Sequence, residues 1–168
     1  YVSSANCGRF CGAKVDFVDI DSETFNICIK SLSKKLVLAK KKNKLPKILV
    51  VVHLAGYPAD LKKINRLSKK YNFKIIEDAS HAFGAVYNNS KIGDCKYSDI
   101  TVFSFHPVKI ITSAEGGAIT TNNKTLYNKI IQLRENGIQR NNPKKIYDDP
   151  NFYDVVDLGY NFRIKSII

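Results

Sequence analysis

Short apolar runs and amphipathic segments alternate along this chain. Residues 15–20 (VDFVDI) interleave apolar and acidic side chains, a pattern close to strand alternation that predicts a strand. Further runs at 47–53, 74–78, 100–105 and 117–121 have the lengths and apolar content of buried strands. The apolar pattern therefore predicts a protein rich in short strands.

Segments with helical spacing separate several of these strands. Apolar residues recur every three or four positions over 29–42 and again over 60–71. A third helix is predicted to begin at a cap at Asn122 or Asn123 and to run to Glu135. Such alternation is typical of an α/β protein with a largely parallel sheet.

Sheets of this kind bind ligands beyond the carboxyl ends of their strands. Here Asp78 ends one predicted strand, and Lys109 follows the next after an apolar, aromatic run. A lysine ε-amine that loses its proton can condense with an aldehyde, and an aspartate beside a pyridine ring keeps the ring nitrogen protonated. The two residues are candidates for holding pyridoxal phosphate (PLP), although an exposed aspartate and a surface lysine would leave the same pattern.

Two histidines at the same edge allow more than one interpretation. His53 ends a predicted strand, where it either contacts a ligand or anchors the loop that follows. His106 precedes Pro107, and we expect it to shape the loop that carries Lys109 rather than to take part in chemistry.

The composition is that of one globular domain. The chain has 168 residues, of which 44% are apolar and 25% are charged. It contains no methionine, so we expect a processed chain or a fragment. No apolar stretch reaches the length of a membrane span, and the four cysteines form neither a C-x-x-C pair nor a zinc pattern. We therefore expect a cytoplasmic protein without a membrane partner or a bound metal.

The net charge of +12 first suggests a nucleic-acid binder. The excess is almost entirely lysine, because arginine occurs only at positions 9, 66, 134, 140 and 163. Aromatic residues are not interleaved with the lysines as a stacking platform requires. We therefore expect a lysine-biased solvated face and no nucleic acid; the alternative, a basic binder, predicts a salt-sensitive affinity for DNA.

Several motifs resemble the DegT/DnrJ/EryC1/StrS family of sugar aminotransferases. They follow one another in matching order: GAKVDFVDID (12–21), HLAGYPAD (53–60), EDASHAFGA (77–85), SDITVFSFHPVK (98–109), EGG (115–117) and GYNFR (159–163). The resemblance implies an aspartate-aminotransferase-like large domain (fold type I), which is a three-layer α/β fold with a mostly parallel sheet. It also implies that residues 1–168 are an incomplete PLP-binding large domain, without an N-terminal segment and the C-terminal small domain.

The resemblance assigns roles around PLP. Lys109 matches the family's Schiff-base lysine, whose freed amine moves a proton between substrate and cofactor. Asp78 matches the partner of the pyridine nitrogen. His81 matches a position that reaches the phenolic oxygen, and its alternative is a structural histidine packed under the loop. Ser104 matches a serine that donates a hydrogen bond to the phosphate.

The resemblance assigns roles to two further positions, one of them at a subunit interface. Asn161 matches an asparagine that the neighbouring subunit supplies to the phosphate, which implies a homodimer; the alternative is a turn residue before Phe162. Tyr1 falls where the family often has an aromatic ring stacked on the pyridine face.

The combination of SHAFGA and FSFHPVK looks closest to one branch of the family. Members of that branch aminate a UDP-linked 4-keto-6-deoxy-N-acetylhexosamine on the way to pseudaminic acid. The implied reaction is a ping-pong transfer in which L-glutamate is the amino donor and a nucleotide-linked ketosugar is the acceptor.

Two alternatives within the fold remain. We expect this chain to lack the family's Ser-Gly-Thr turn, which binds phosphate at a helix start. We therefore expect this chain alone to bind PLP weakly and to be poorly active, and a non-catalytic remnant is one alternative. A related sugar dehydratase that uses PLP or pyridoxamine phosphate (PMP) is the other, but that branch has histidine where this chain has Lys109.

Overall fold

The apolar runs assemble into sheets in the computed structural model, which describes residues 1–139, 153–162 and 164. The helices of this described part are α1 (Ser3–Phe10), α2 (Ile29–Lys41), α3 (Leu61–Tyr71) and α4 (Lys124–Arg134). Its strands are β1 (Ile48–Val52), β2 (Lys74–Asp78), β3 (Val86–Tyr87), β4 (Ser90–Lys91), β5 (Ile100–Ser104), β6 (Gly117–Thr120), β7 (Ile138–Gln139) and β8 (Asp154–Val155).

The central sheet has four strands in the order β1-β2-β5-β6. Strands β1, β2 and β5 run parallel, and β6 pairs antiparallel with β5. Two short antiparallel pairs, β3 with β4 and β7 with β8, lie outside it. The predicted α/β class with a mostly parallel sheet is confirmed.

The two faces of this sheet differ in burial because side chains alternate along each strand. On the core face the side chains are buried against α2 and α3. This core face consists of Val51, Ile75, Glu77, Thr101 and Phe103. On the opposite face, here called the open face, the side chains are half-buried. The open face includes Ile76, Asp78, Val102 and Ser104.

Helix α3 shows how the sequence sets the bounds of an element. The Asp60 carboxylate accepts a hydrogen bond from the Lys63 backbone N–H and caps the first turn. Leu61 and Ile64 are buried in the core. Asn72 ends the helix with a left-handed φ of 56°, a conformation that asparagine tolerates better than most residues.

The predicted strand over 15–20 is wrong. Within the described part of the chain, this segment pairs only at Ile20, which forms an isolated bridge with Ile27. Its acidic residues bond to their own turns and to α2 instead: Asp16 accepts from the Phe17 N–H and from Lys35 Nζ, and Asp19 accepts from the Ile20 N–H. Alternating polarity alone does not supply the neighbouring strand that a ladder requires.

Other differences concern short elements. Helix α1 and the hairpin of β3 and β4 were not predicted, because neither carries a periodic apolar stripe; α1 buries none of its residues. The helix predicted after Asn122 or Asn123 is α4, and Asn123 provides its cap by accepting from the Leu126 N–H. The segment 141–153 is polar and contains two prolines, a composition that predicts a loop, and it lies outside the described residues except at Tyr153.

None of the helices in the described part of the chain combines the length and apolar character that crossing a bilayer requires. The same residues contain no group of three or more His, Cys, Asp or Glu side chains that could hold a metal ion. Cys7, Cys11, Cys28 and Cys95 are all free thiols.

The Asp60 carboxylate accepts a hydrogen bond from a second residue as well, so its contribution to stability can be tested by mutation. The Tyr87 hydroxyl donates to Asp60 Oδ1 over 2.7 Å. Partial burial works to raise the pKa of Asp60, but the hydrogen bonds from Lys63 and Tyr87 outweigh it and leave that pKa below its ordinary value. The group therefore contributes stability at neutral pH, which is lost as the pH falls through its folded-state pKa.

We expect Asp60→Ala to lower the free energy of unfolding at pH 7 by about 1–2 kcal/mol, because it removes the helix cap and the partner of Tyr87 together. Urea denaturation at pH 7 and pH 3 measures the loss, which should shrink at pH 3. Asn123→Ala removes only the cap of α4 and is the matched control. It should lower the free energy of unfolding by less than Asp60→Ala does. Equal losses for the two variants at pH 7 would contradict the double role of Asp60.

Candidate active site

Asp78 and Ser104 come together because two parallel strands end at the same edge. Asp78 is the last residue of β2 and pairs in register with Val102 of β5, so Ser104 lies two residues further along the neighbouring strand. Both side chains belong to the open face, where they are half-buried. The carboxyl ends of β2 and β5 thus place a carboxylate and a hydroxyl on one surface.

The Asp78 carboxylate is held by hydroxyl and amide donors on both oxygens. Ser4 Oγ of α1 donates to Oδ2 over 2.7 Å. Ser80 donates to Oδ1 twice, from its Oγ over 2.6 Å and from its backbone N–H over 3.2 Å. These bonds fix the orientation of the carboxylate and stabilise its ionised form.

The ionisation state follows from the balance of two opposing effects. Burial works to raise the pKa of Asp78, but the hydrogen bonds from Ser80 and Ser4 and the nearby His81 outweigh it, so that pKa lies below its ordinary value. Asp78 is therefore a carboxylate at neutral pH. A half-buried anion of this kind attracts a cationic group on a ligand.

Lys109 lies on a loop that connects β5 to β6. The loop is closed at its base, where the Phe105 N–H donates to the Gly116 carbonyl over 2.8 Å and the Ser113 N–H donates to the Phe105 carbonyl over 3.1 Å. The Lys109 N–H donates to the His106 carbonyl over 2.9 Å, which forms a tight turn. The Lys109 side chain is half-buried, so it does not extend fully into solvent.

His106 shapes this turn, as the sequence indicates. Its N–H donates to Ser104 Oγ over 3.4 Å, and its Nδ1 accepts from the Val108 N–H over 3.4 Å. Its Nε2 lies 3.8 Å from Glu115 Oε1 on the other side of the loop. The ring is exposed, and its contacts stay within the lysine loop.

His81 and His53 differ in their exposure. His81 follows Asp78 in the turn after β2 and is exposed, so the alternative of a histidine packed under the loop is wrong. His53 is fully buried and its Nδ1 accepts from the Ala59 N–H over 3.1 Å. Of its two interpretations, loop anchoring is therefore correct, and a ligand contact is excluded.

Tyr1 and Asn161 lie at the two ends of the described chain. Tyr1 is exposed and precedes α1, the helix whose Ser4 bonds to Asp78. Asn161 is exposed and forms an isolated bridge with Glu135, just after α4.

Two residues that hold Asp78 were missed by sequence reasoning. The contact of Ser80 could have been predicted from local sequence, because a serine two residues after an aspartate commonly donates to that aspartate in a turn. The contact of Ser4 could not, since Ser4 lies 74 positions away from Asp78 in the sequence. Only the fold brings α1 to the end of β2.

The chain belongs to the DegT/DnrJ/EryC1/StrS aminotransferase family, whose model matches residues 1–168. It is 41% identical over 167 residues to a UDP-4-amino-4,6-dideoxy-N-acetyl-beta-L-altrosamine transaminase from Campylobacter jejuni, covering 99% of this chain and 41% of that protein. The chain therefore spans about two fifths of the length of this relative.

Solved structures agree with this assignment. Helicobacter pylori PseC, an aminotransferase involved in the biosynthesis of pseudoaminic acid, superposes with a TM-score of 0.82 at 32% identity, covering 97% of this chain and 40% of PseC. The PMP form of Spr1654, a sugar aminotransferase from Streptococcus pneumoniae, superposes with a TM-score of 0.75 at 26% identity. The match covers 95% of this chain and 43% of Spr1654. The fold is therefore that of aminotransferases of this family, of which this chain spans about two fifths.

The hydrogen bond from Ser4 gives a prediction for the charge on Asp78. Ser4→Ala removes a donor to the ionised form, so the pKa of Asp78 should rise. The stability of the variant relative to the wild type should fall at pH 7 by about 1 kcal/mol, and this loss should shrink as the pH falls through the folded-state pKa of Asp78 and the carboxyl group becomes protonated.

A carbon-13 NMR titration of the Asp78 carboxyl carbon without PLP measures this pKa directly. Ser3→Ala is the matched control, because Ser3 is the exposed neighbour of Ser4 on the same helix and the change in helix propensity is the same. An Asp78 pKa that moves equally in both variants, or in neither, would show that Ser4 does not stabilise the charge.

Proposed function

We propose that the protein is a PLP-dependent aminotransferase that transfers an amino group to a nucleotide-linked ketosugar. The observation that supports it most is Asp78, a half-buried carboxylate that stays ionised at the carboxyl end of a parallel strand. Ser104 lies on the adjacent strand end, and the loop that carries Lys109 begins immediately after it. Membership of an aminotransferase family supports a role for these residues in amino transfer.

The residues present fit PLP in their chemistry. The cofactor has a pyridine nitrogen, an aldehyde and a phosphate, and these call for an anion, an amine and hydrogen-bond donors. The open face and its loop supply the Asp78 carboxylate, the Lys109 ε-amine and the Ser104 hydroxyl. When bound, PLP supplies a carbon that takes up an amino group and a ring that accepts electrons.

Asp78 would hold the protonated pyridine nitrogen. Its position between Ser4 and Ser80 keeps it ionised and oriented without a ligand, so no reorganisation is needed on binding. Ser104 would donate to the phosphate, and the exposed His81 would reach the phenolic oxygen. Each contact uses a side chain at or just beyond the end of β2 or β5.

Lys109 would have two tasks. Its ε-amine is the covalent attachment point for the cofactor aldehyde, and the same Nζ, once free, would take and return a proton at the substrate carbon that exchanges its amino group. The closed base of the lysine loop and the turn made by His106 restrict where this amine can go.

The relatives indicate the substrates. The Campylobacter jejuni relative is named for a UDP-linked amino sugar, and another relative, from Escherichia coli, is a GDP-perosamine synthase. We propose a nucleotide-linked 4-keto-6-deoxy sugar as acceptor, on a route to pseudaminic acid, and L-glutamate as donor. We further propose a cytoplasmic homodimer in which Asn161 reaches the partner's phosphate site and Tyr1 stacks on the pyridine face.

Borohydride reduction in the presence of PLP tests the role of Lys109. Reduction should fix a pyridoxyl group on the peptide that contains Lys109, and mass mapping of the full natural chain identifies that peptide. Lys109→Ala should lose this label, and amino transfer should fall by roughly 10²- to 10⁴-fold or more because the proton-transferring amine is gone.

Lys91→Ala is the control, since Lys91 is an exposed lysine of the β4 hairpin and its loss should leave the label in place. A label spread over surface lysines, with Lys109 no more reactive than the others, would contradict the proposal. Salt-sensitive DNA binding that is unchanged in Lys109→Ala would instead favour the basic binder.

A further inference from the structure

Glu77 is a buried carboxylate that the proposed reaction does not use. Its side chain is only 2% exposed and belongs to the core face, whereas the adjacent Asp78 belongs to the open face. A buried carboxylate is costly unless donors surround it. Glu77 has donors on both oxygens: His53 Nε2 lies 2.8 Å from Oε2, and Thr101 Oγ1 and Ser98 Oγ donate to Oε1.

The protonation of His53 follows from its two contacts. Its Nδ1 accepts from the Ala59 N–H over 3.1 Å and therefore carries no proton. The proton of the neutral ring lies on Nε2, which donates it to Glu77. Every polar atom of this pair is satisfied, and we call the set of His53, Glu77, Ser98 and Thr101 the Glu77 network.

The Glu77 network links β2, which ends at Asp78, to its two neighbouring strands by hydrogen bonds. His53 follows β1, Glu77 lies in β2 and Thr101 lies in β5. The His53 N–H also donates to the Asp78 carbonyl over 3.1 Å, and the Ala79 N–H donates to the Val102 carbonyl over 2.9 Å. The backbone of Asp78 is thus held at the edge where its carboxylate faces the open side.

The same network anchors the loop that supports His81. The loop begins at His53, and its Gly56 has a φ of +83° and packs against the turn after β2. A Cβ at Gly56 would lie 2.8 Å from the His81 carbonyl oxygen, closer than side-chain carbons approach. Displacement of His53 would therefore be transmitted to the backbone of His81.

We infer that Glu77 is a positioning residue for the cofactor site. It acts from the core face by hydrogen bonds that set the strand ends and the loop behind Asp78 and His81. The inference rests on the proposed function, in which those two residues contact PLP. It differs from a purely structural role, because a structural role would lower stability without a specific effect on the affinity for PLP.

The variants separate hydrogen bonding, charge and stability. In Glu77→Gln the amide oxygen can accept from His53 Nε2, and the amide N–H₂ can donate to the Ser98 and Thr101 hydroxyls, which also accept. Glu77→Ala leaves His53 without its partner. Ile64→Ala is the control for stability, since Ile64 is 0% exposed in the same core but lies outside the Glu77 network.

The Kd for PLP, from absorbance titration of the full natural chain, and the unfolding midpoint are measured for each variant. Glu77→Ala should weaken PLP binding on the order of tenfold or more, by analogy with the loss of residues that orient the ligands of a metal site. Glu77→Gln should restore the Kd to within about threefold of the wild type. Ile64→Ala should lower the midpoint and leave the Kd unchanged.

Three results would overturn the inference: a wild-type Kd in Glu77→Ala, equal weakening in Ile64→Ala at the same loss of midpoint, or no rescue by Glu77→Gln. Failure of the proposed function is distinguishable, because the wild type itself would then not bind PLP.

Discussion

The half-buried Asp78 carboxylate stays ionised because hydrogen bonds from Ser80 and Ser4 outweigh the cost of its burial. This balance gives the carboxyl end of β2 a fixed negative charge on a surface that is otherwise partly apolar. A cofactor whose ring must remain protonated requires such a charge in place before it binds. Ser4 and Ser80 are therefore as much a part of the site as the carboxylate itself.

The parallel sheet explains why the remaining groups lie near that charge. Strands β2 and β5 end at one edge, so Ser104 follows the carboxylate on the neighbouring strand and the lysine loop begins immediately afterwards. Alternation along β2 directs Glu77 into the core and Asp78 to the open face. One strand end thus supplies a buried carboxylate on the core face and a half-buried carboxylate on the open face from consecutive residues.

Much of this frame could be predicted from the sequence, because α3 has helical apolar spacing and the parallel strands are short apolar runs. Asp78 and Lys109 could be located as residues that follow such strands. The structure of segment 15–20 could not be predicted correctly, because the polarity pattern of a segment does not show whether a partner strand exists. The Ser4 contact and the Glu77 network could not be predicted, because the residues that each hydrogen bond joins lie 21 to 74 positions apart and meet only in the fold.

The central claim is that Asp78 keeps the ring nitrogen of bound PLP protonated. Nitrogen-15 NMR of PLP labelled at the pyridine nitrogen, bound to the full natural chain, reports that protonation state. We expect the chemical shift of a protonated ring in the wild type and of an unprotonated ring in Asp78→Ala. An unprotonated ring in the wild type, or a protonated ring in both proteins, would contradict it.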